Sequence, residues 1–310
     1  MYLTPHQLRL FVAPALVVAA IVGFLLGSHR GHAAPLAKAL VAHQANIVLE
    51  YPSTWQPVTS AAPIPRLSIV HPLLLAPGGD ATRAGLLSGQ LAAGEPGPLP
   101  ASFVALMSEL PQTQVVDFLG VQAYRYSHVR LPAYDRLLDL YVIPSSTGPS
   151  SAIACYASQA SSSDLHECEQ IVATLTPVGH SGYDLSPSAA YSSQLGAVIG
   201  ELDGERLVLR RQMGALKTPG PVAGLATTLA GRFATAAAAI RALRPPAAAA
   251  PAQASLLAAL ERAGESYGAL AAAASGGAGG VAAAQAHVGS TEAGVDSALA
   301  TFALLGYNHT

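Results

Sequence analysis

The longest uninterrupted apolar run in the chain extends from Leu10 to Leu26 (LFVAPALVVAAIVGFLL). As a helix it reaches roughly 25 Å at 1.5 Å per residue. Leu8 and Gly27, with Arg9 snorkelling to the headgroups, bring it near the ~30 Å of a bilayer's hydrocarbon core. Pro14 is tolerated in such a helix. Nothing downstream is as long and apolar without small or polar interruptions. The pattern therefore predicts one N-terminal span with the rest of the chain on one side of a membrane. The alternative is a cleaved secretory signal. Its A-x-A site, Ala37-Lys38-Ala39, stands far from the end of the apolar run, and cleavage after Ala34 would leave Pro35 at the new terminus. The run is also longer than a signal's apolar region, which favours a retained anchor.

Beyond an Ala-rich connector the pattern shortens and alternates. NIVLEY (46–51) predicts a strand ended by Pro52. Strands are expected at 67–70 and 85–91, on either side of the turn Pro77-Gly78-Gly79-Asp80. Pro100 precedes ASFVALMSEL, where Phe103, Leu106 and Leu110 share one helical face. Period-two strands follow at 114–119 and along VQAYRYSHV, with Tyr124 and Tyr126 opposite Val121 and Ala123. LLDLYVI (137–143) stops at Pro144, and AIACYA (152–157) follows a Ser/Gly/Pro turn. SSSDLHECEQIVATL then predicts a helix capped by Ser163, with Asp164 at the positive end of its dipole. Its apolar seam is Leu165, Cys168, Val172 and Leu175. This order implies an antiparallel sheet with helices packed on it. Trp55, the only tryptophan, and Tyr124, Tyr126 and Tyr141 are expected in the core of that sheet.

From Pro187 onward the period becomes helical. Residues 179–185 read as a linker, with Ser186 and Pro187 as cap and first helical residue. A first helix, about 187–216, carries Tyr191, Leu195, Val198, Leu202, Leu209, Met213 and Leu216 on its seam, interrupted at Glu205 and weakened at Gly204. A second, about 221–244, places Val222, Ala226, Leu229, Phe233, Ala236, Ile240 and Leu243 at alternating four-three spacing. A third, about 252–275, repeats that spacing from Leu256 through Leu260, Ala263, Tyr267 and Leu270 to Ala274. A fourth, about 280–305, uses Val281, Val288, Val295 and Phe302, with Leu299 and Leu305 beside them. Short connections and heptad-like seams predict an antiparallel four-helix bundle. Alanine at so many seam positions implies a thin core, because a small side chain yields less on burial than Leu or Phe. Such a bundle leans on helix propensity and on a partner. The chain thus divides into an anchor and connector (1–45), an α/β domain (46–178), a linker (179–186) and a helical bundle (187–310), an α+β protein overall. The α/β domain is expected to fold alone, and the bundle to be the less stable half.

Composition sharpens this picture. Charged residues are 11% of the chain against a usual ~25%, but hydrophobicity is high, so low charge does not signal disorder. A formal net charge of −2 and the lack of an arginine stripe speak against nucleic acid. Lysine stands only at Lys38 and Lys217, and arginine supplies the other side-chain cations, which with abundant Ala, Gly and Pro suggests a GC-rich bacterial genome. Arg9 before the span balances Arg30 and Lys38 after it, so charge does not orient the anchor. The two cysteines, Cys155 and Cys168, do. An even pair in an extracytoplasmic segment reads as a disulfide from the last strand to the last helix of the α/β domain, the alternative being two unrelated buried thiols.

The motif Tyr51-Pro52-Ser53-Thr54-Trp55 (YPSTW), opening a domain of this length and element order, resembles the PsbP/Mog1-like α/β/α domains. These include extracytoplasmic bacterial lipoproteins and the photosystem-associated PsbP proteins. The resemblance covers about 130 residues. The chain differs in carrying a membrane helix where the lipoproteins carry a lipid-modified cysteine, and in adding a helical half. Family members are mostly binding and assembly factors, so the resemblance implies interaction and not catalysis.

Chemical motifs are absent from the sequence. Gly85-Leu86-Leu87-Ser88-Gly89 has its serine one position late for a nucleophile elbow. No S-x-x-K, Walker, H-E-x-x-H or EF-hand pattern occurs. His29 and His32 stand at i, i+3 beside the span without a third ligand. A di-metal bundle needs Glu-x-x-His pairs; Glu292 and His287 are five apart, and Glu261 and Glu265 have no histidine near them. No cofactor, metal or catalytic residue is therefore expected. Glu292 is read as a boundary residue reaching solvent or an arginine. The sequence points to a single-pass, membrane-anchored extracytoplasmic factor of the bacterial envelope, meeting a protein partner through the bundle. The alternative is an envelope hydrolase or transferase with a cleft in the α/β domain.

Overall fold

The computed structural model describes residues 39–44, 46–59, 64–92, 97–132, 134–145, 148–178, 184–216, 218–277 and 279–307. The expected span, Leu10–Leu26, and the pair His29 and His32 lie outside the described residues. The strands are β1 (Ala39–Gln44), β2 (Ile47–Pro52), β3 (Trp55–Pro57), β4 (Ile69–Pro77), β5 (Ala84–Leu91), β6 (Thr113–Phe118), β7 (Val121–Tyr126), β8 (Leu137–Ile143), β9 (Ser151–Ala157) and β10 (Thr176–Pro177). The helices are α1 (Ala101–Val104), α2 (Ser162–Val172), α3 (Ala189–Ala215), α4 (Pro219–Ala242), α5 (Ala250–Ser275) and α6 (Val281–Leu304).

Seven strands form one sheet in the order β3-β4-β5-β9-β8-β7-β6, with each neighbouring pair antiparallel. A second sheet, β1-β2-β10, is also antiparallel. Register sorts the large sheet into two faces, because successive side chains alternate. Leu87, Ala154, Leu140 and Tyr126 lie in cross-strand register on one face. Leu75, Leu86, Cys155 and Asp139 lie on the other. The first face joins a continuous apolar core with Leu195, Leu229, Phe233, Leu260 and Phe302 of the long helices. The second is covered by α2, whose Leu165, Cys168, Ile171 and Val172 are buried. With both faces covered, β9 is buried at every position. That is why SAIACYA and LLDLYVI read as near-continuous apolar runs.

Cys155 on β9 is disulfide-bonded to Cys168 on α2, with Cα atoms 5.8 Å apart. Helix α2 opens differently from expectation. A short 3-10 turn, Gln159–Ser161, leads into it, its cap is Ser161, and Ser163 already lies inside the first turn. Asp164 remains at the positive end and pairs with Arg83 on the chain before β5, 2.8 Å away.

Several other boundaries differ. Residues 39–44, expected as connector, form β1, a hairpin partner of β2 in which Gln44 faces Ile47. Leu40 and Val41 are exposed there, so no burial pattern marked the strand. The helix expected over ASFVALMSEL is a single turn. The Ser108 N–H donates to the Arg130 carbonyl, turning the chain away after Phe103 is buried. Helix α3 is capped two residues later than expected, by Ser188, whose hydroxyl accepts from the Tyr191 N–H at 3.3 Å.

Each long helix packs on its neighbour in the chain. The expected seams of α4 and α5 are buried from Val222 to Ile240 and from Leu256 to Ala274. Helix α4 is the one described helix long and apolar enough, by length and composition, to cross a membrane. Helix α6 ends in a Schellman motif. The Gly306 N–H donates to the Ala303 carbonyl, and the Tyr307 N–H to the Phe302 carbonyl. Gly306 takes φ +84°, where a Cβ would stand 2.9 Å from the Pro187 ring. The rings of Phe302 and Tyr307 meet edge to face. The sheet also meets the carbonyls of this turn: the Thr113 hydroxyl is shared between Ala303 O and Leu304 O, each at 3.1 Å, and the buried Tyr126 hydroxyl donates to Leu304 O at 2.8 Å.

The disulfide closes a short loop between the central strand and α2. Its removal in a Cys155→Ala/Cys168→Ala variant is expected to lower unfolding stability by about 3 kcal/mol, read by denaturant titration. Thiol titration of the unreduced, denatured wild-type protein is expected to find no free thiol; two reactive thiols would contradict the bond.

Candidate functional site

The α2 face of the sheet carries a buried charge cluster. Asp139 stands in the middle of LLDLYVI and is 2% exposed. An isolated carboxylate there would be strongly unfavourable, and two groups compensate it. Arg125 on β7 lies 3.2 Å from Oδ2, and the His128 N–H donates to Oδ1 at 2.7 Å. Arg125 also pairs with Glu169 on α2 and lies 5.7 Å over the Tyr141 ring. The Tyr141 hydroxyl is within 3.5 Å of Glu169 Oε1. Two carboxylates thus share one guanidinium. Burial raises the Glu169 pKa above the ordinary glutamate range; Arg125 pulls it back and Asp139 pushes it further up. Burial alone would lower the Arg125 pKa, but Tyr141, Glu169 and Asp139 outweigh it and hold the guanidinium charged.

The helical half has its own cluster. Glu292 on α6 is 4% exposed. It accepts from the Tyr267 hydroxyl of α5 at 2.8 Å and pairs with Arg210 of α3 at 2.7 Å. One turn away, Arg206 lies between Asp203 and Asp296. These pairs link the first long helix to the last. They do so where full burial gives out: the buried residues of α3 are Tyr191, Leu195, Ile199 and Leu202, all in its N-terminal half, and beyond them Leu209 and Met213 pack only partly buried on the core. Beyond Leu202, Leu207 is 60% exposed and Val208 50% exposed. A cleft of about 230 Å³ opens beside Arg210, Met213, Tyr267, Leu270 and Val288. Glu205, which interrupted the seam, reaches Arg232 of α4 at 3.1 Å.

The structure brings Cys155 and Cys168 together and buries Trp55, Tyr124, Tyr126 and Tyr141 in the sheet. It does not gather the acids of the long helices: Glu261 pairs with Arg241 and Glu292 with Arg210. Among the described residues no group of three or more His, Cys, Asp or Glu stands placed to hold a metal. Ser88 is fully buried, its hydroxyl without a hydrogen-bond partner among the described residues. Arg125, Asp139 and Glu169 went unnoticed in sequence. The signal was there in Asp139, a lone charge inside an apolar strand that required a buried partner.

No family model matches the chain, and no curated protein matches it in sequence. Among solved structures it is similar to the solution structure of cyanobacterial PsbP (CyanoP) from Synechocystis sp. PCC 6803. The match is at 13% identity and a TM-score of 0.32, covering 49% of this chain and 98% of that one. A likeness of that extent carries no conclusion about activity or partners.

The raised Glu169 pKa gives the cluster a pH signature. Between the ordinary glutamate value, about 4.3, and the raised folded value, the folded protein holds a proton that the unfolded chain has released. This contribution to stability is fully present below the unfolded pKa and is lost as pH rises through the folded one. Denaturant midpoints measured across that window are expected to fall with rising pH through this group, and Glu169→Gln is expected to remove that component. An unchanged slope in the variant would contradict the assignment.

Proposed function

We propose that the protein is a non-catalytic binding or assembly factor of the bacterial cell envelope, anchored by residues 10–26 with the rest of the chain outside the cytoplasm. In this proposal α3 to α6 act as an antiparallel four-helix bundle (187–310) joined through 179–186 to the PsbP-like part (46–178), and the bundle receives a protein partner. The observation that carries the proposal is the C-terminal half of α3, where no residue is fully buried and Leu207 and Val208 face solvent. Arg206, Arg210 and Arg211, with Asp203, line a surface cleft beside Leu207. The partner that fits is a segment with apolar residues flanked by carboxylates, which would cover Leu207 and Val208 and meet the guanidinium rim. Binding is favoured over hydrolysis because the two carboxylates that converge in the α/β part, Asp139 and Glu169, are both engaged by Arg125.

A photo-crosslinking residue at position 208 of the full chain, in its native membrane, is expected to give a discrete adduct that the same residue at exposed position 227 of α4 does not. Leu207→Asp in the same chain is expected to reduce that adduct at least tenfold while leaving the circular dichroism unchanged. Equal labelling from positions 208 and 227, or an adduct indifferent to Leu207→Asp, would contradict the proposal.

A further inference from the structure

The loop joining β7 to β8 borders a cleft of about 810 Å³, lined by His128, Arg130, Leu131, Tyr134, Arg136 and Leu137 among others. That volume lies in the range of small-molecule sites, roughly 300–1,000 Å³. Its charge is unusual. Arg136 is half-buried, its guanidinium 5.6 Å over the Tyr134 ring and 5.2 Å over the Tyr156 ring. One of its N–H groups reaches the Ala81 carbonyl at 3.4 Å. No carboxylate among the described residues forms an ion pair with it, and the same holds for Arg130, which lines the same cleft. By contrast Arg125, Arg206 and Arg210 in the two charge clusters described above are each paired to an acid. A half-buried guanidinium held between two aromatic faces has lost rotamer freedom and part of its hydration. Such a group would meet an anion with little further ordering. His128 on the rim adds a third nitrogen group, and Asp135 is the one acid that lines the cleft. Leu131, Pro132 and Leu137 supply an apolar wall beside the arginines.

We infer that this cleft binds a small organic oxyanion, its charged head at Arg136 and Arg130 and its apolar body against Leu131, Pro132 and Leu137. The site is independent of the α3 surface, so either assignment can fail without the other.

Titration calorimetry of the full chain in a non-ionic detergent tests it, with octanoate as the probe, octanol as the body without the head, and inorganic phosphate as the head without the body. Octanoate is expected to bind saturably and to be displaced by phosphate, with octanol at least tenfold weaker. Arg136→Gln is expected to weaken octanoate at least tenfold and Arg130→Gln at least threefold, while Arg211→Gln on α3 leaves binding unchanged. Because Arg136 also packs on two rings, Arg136→Lys serves as a second variant that keeps the charge and loses the planar fork; intermediate affinity is expected. Octanol binding as tightly as octanoate, phosphate failing to compete, no saturable binding of octanoate, or Arg211→Gln weakening binding as much as Arg136→Gln would each overturn the assignment.

Discussion

The carbonyl groups at the end of α6 tie the molecule together. A helix leaves its last carbonyls without intrahelical partners, and where that end is buried they must be met by something else. Here the neighbours are side chains of the sheet: Thr113 on β6 and Tyr126 on β7 donate to Ala303 and Leu304. The same turn reaches back to the start of the helical half. Tyr307 packs edge to face on Tyr191, and its hydroxyl meets the Ser188 N–H at 3.4 Å. The Gln122 side chain accepts from the Leu185 N–H at 2.6 Å, fixing the chain where it leaves the α/β part. Sheet and helices consequently share one apolar core, although the sequence between them reads as a domain boundary.

That sharing explains how a seven-stranded antiparallel sheet comes to be apolar on both faces. Most such sheets leave one face to water. In this chain the long helices cover one face and α2, held by the Cys155–Cys168 bond and by Arg125 to Glu169, covers the other. The helices in turn are held to each other partly by charge. Glu292, Tyr267 and Arg210 close α3 onto α5 and α6 where alanine-rich seams bury little. Beyond Leu202, α3 leaves Leu207 and Val208 exposed.

The sequence was most legible where periodicity was long and uninterrupted. The seams of α4 and α5, the strand over 137–143 and the cysteine pair all appear where spacing placed them. β1, which exposes Leu40 and Val41, was not visible, and the helix expected over ASFVALMSEL is shorter than its pattern implies, its turn bonds ending where the Ser108 N–H donates to the Arg130 carbonyl. Charge partnerships across long sequence distances were the least visible. Asp139 announces that it needs a cation, but neither of its neighbours in the chain reveals that Arg125 and the α2 residue Glu169 would supply the cluster. The pattern reads Glu292 as a boundary residue reaching solvent or an arginine; it does meet Arg210, but it is buried, a depth that depends on Tyr267 from another helix. The cleft beside Arg136 depends on the rings of Tyr134 and Tyr156, which only the fold of the sheet brings together.

The central claim is that sheet and helices form one cooperative unit through the end of α6. Trp55 is fully buried in the α/β part and is the only tryptophan, so its fluorescence reports that half. Ellipticity at 222 nm reports the helices. Guanidinium unfolding of the full chain, followed by both signals, is predicted to give coincident transitions. Tyr126→Phe, which removes one hydroxyl from the seam, is predicted to move both midpoints together by about 1 kcal/mol of stability. Separate midpoints for the two signals, or a shift confined to one of them, would contradict the account.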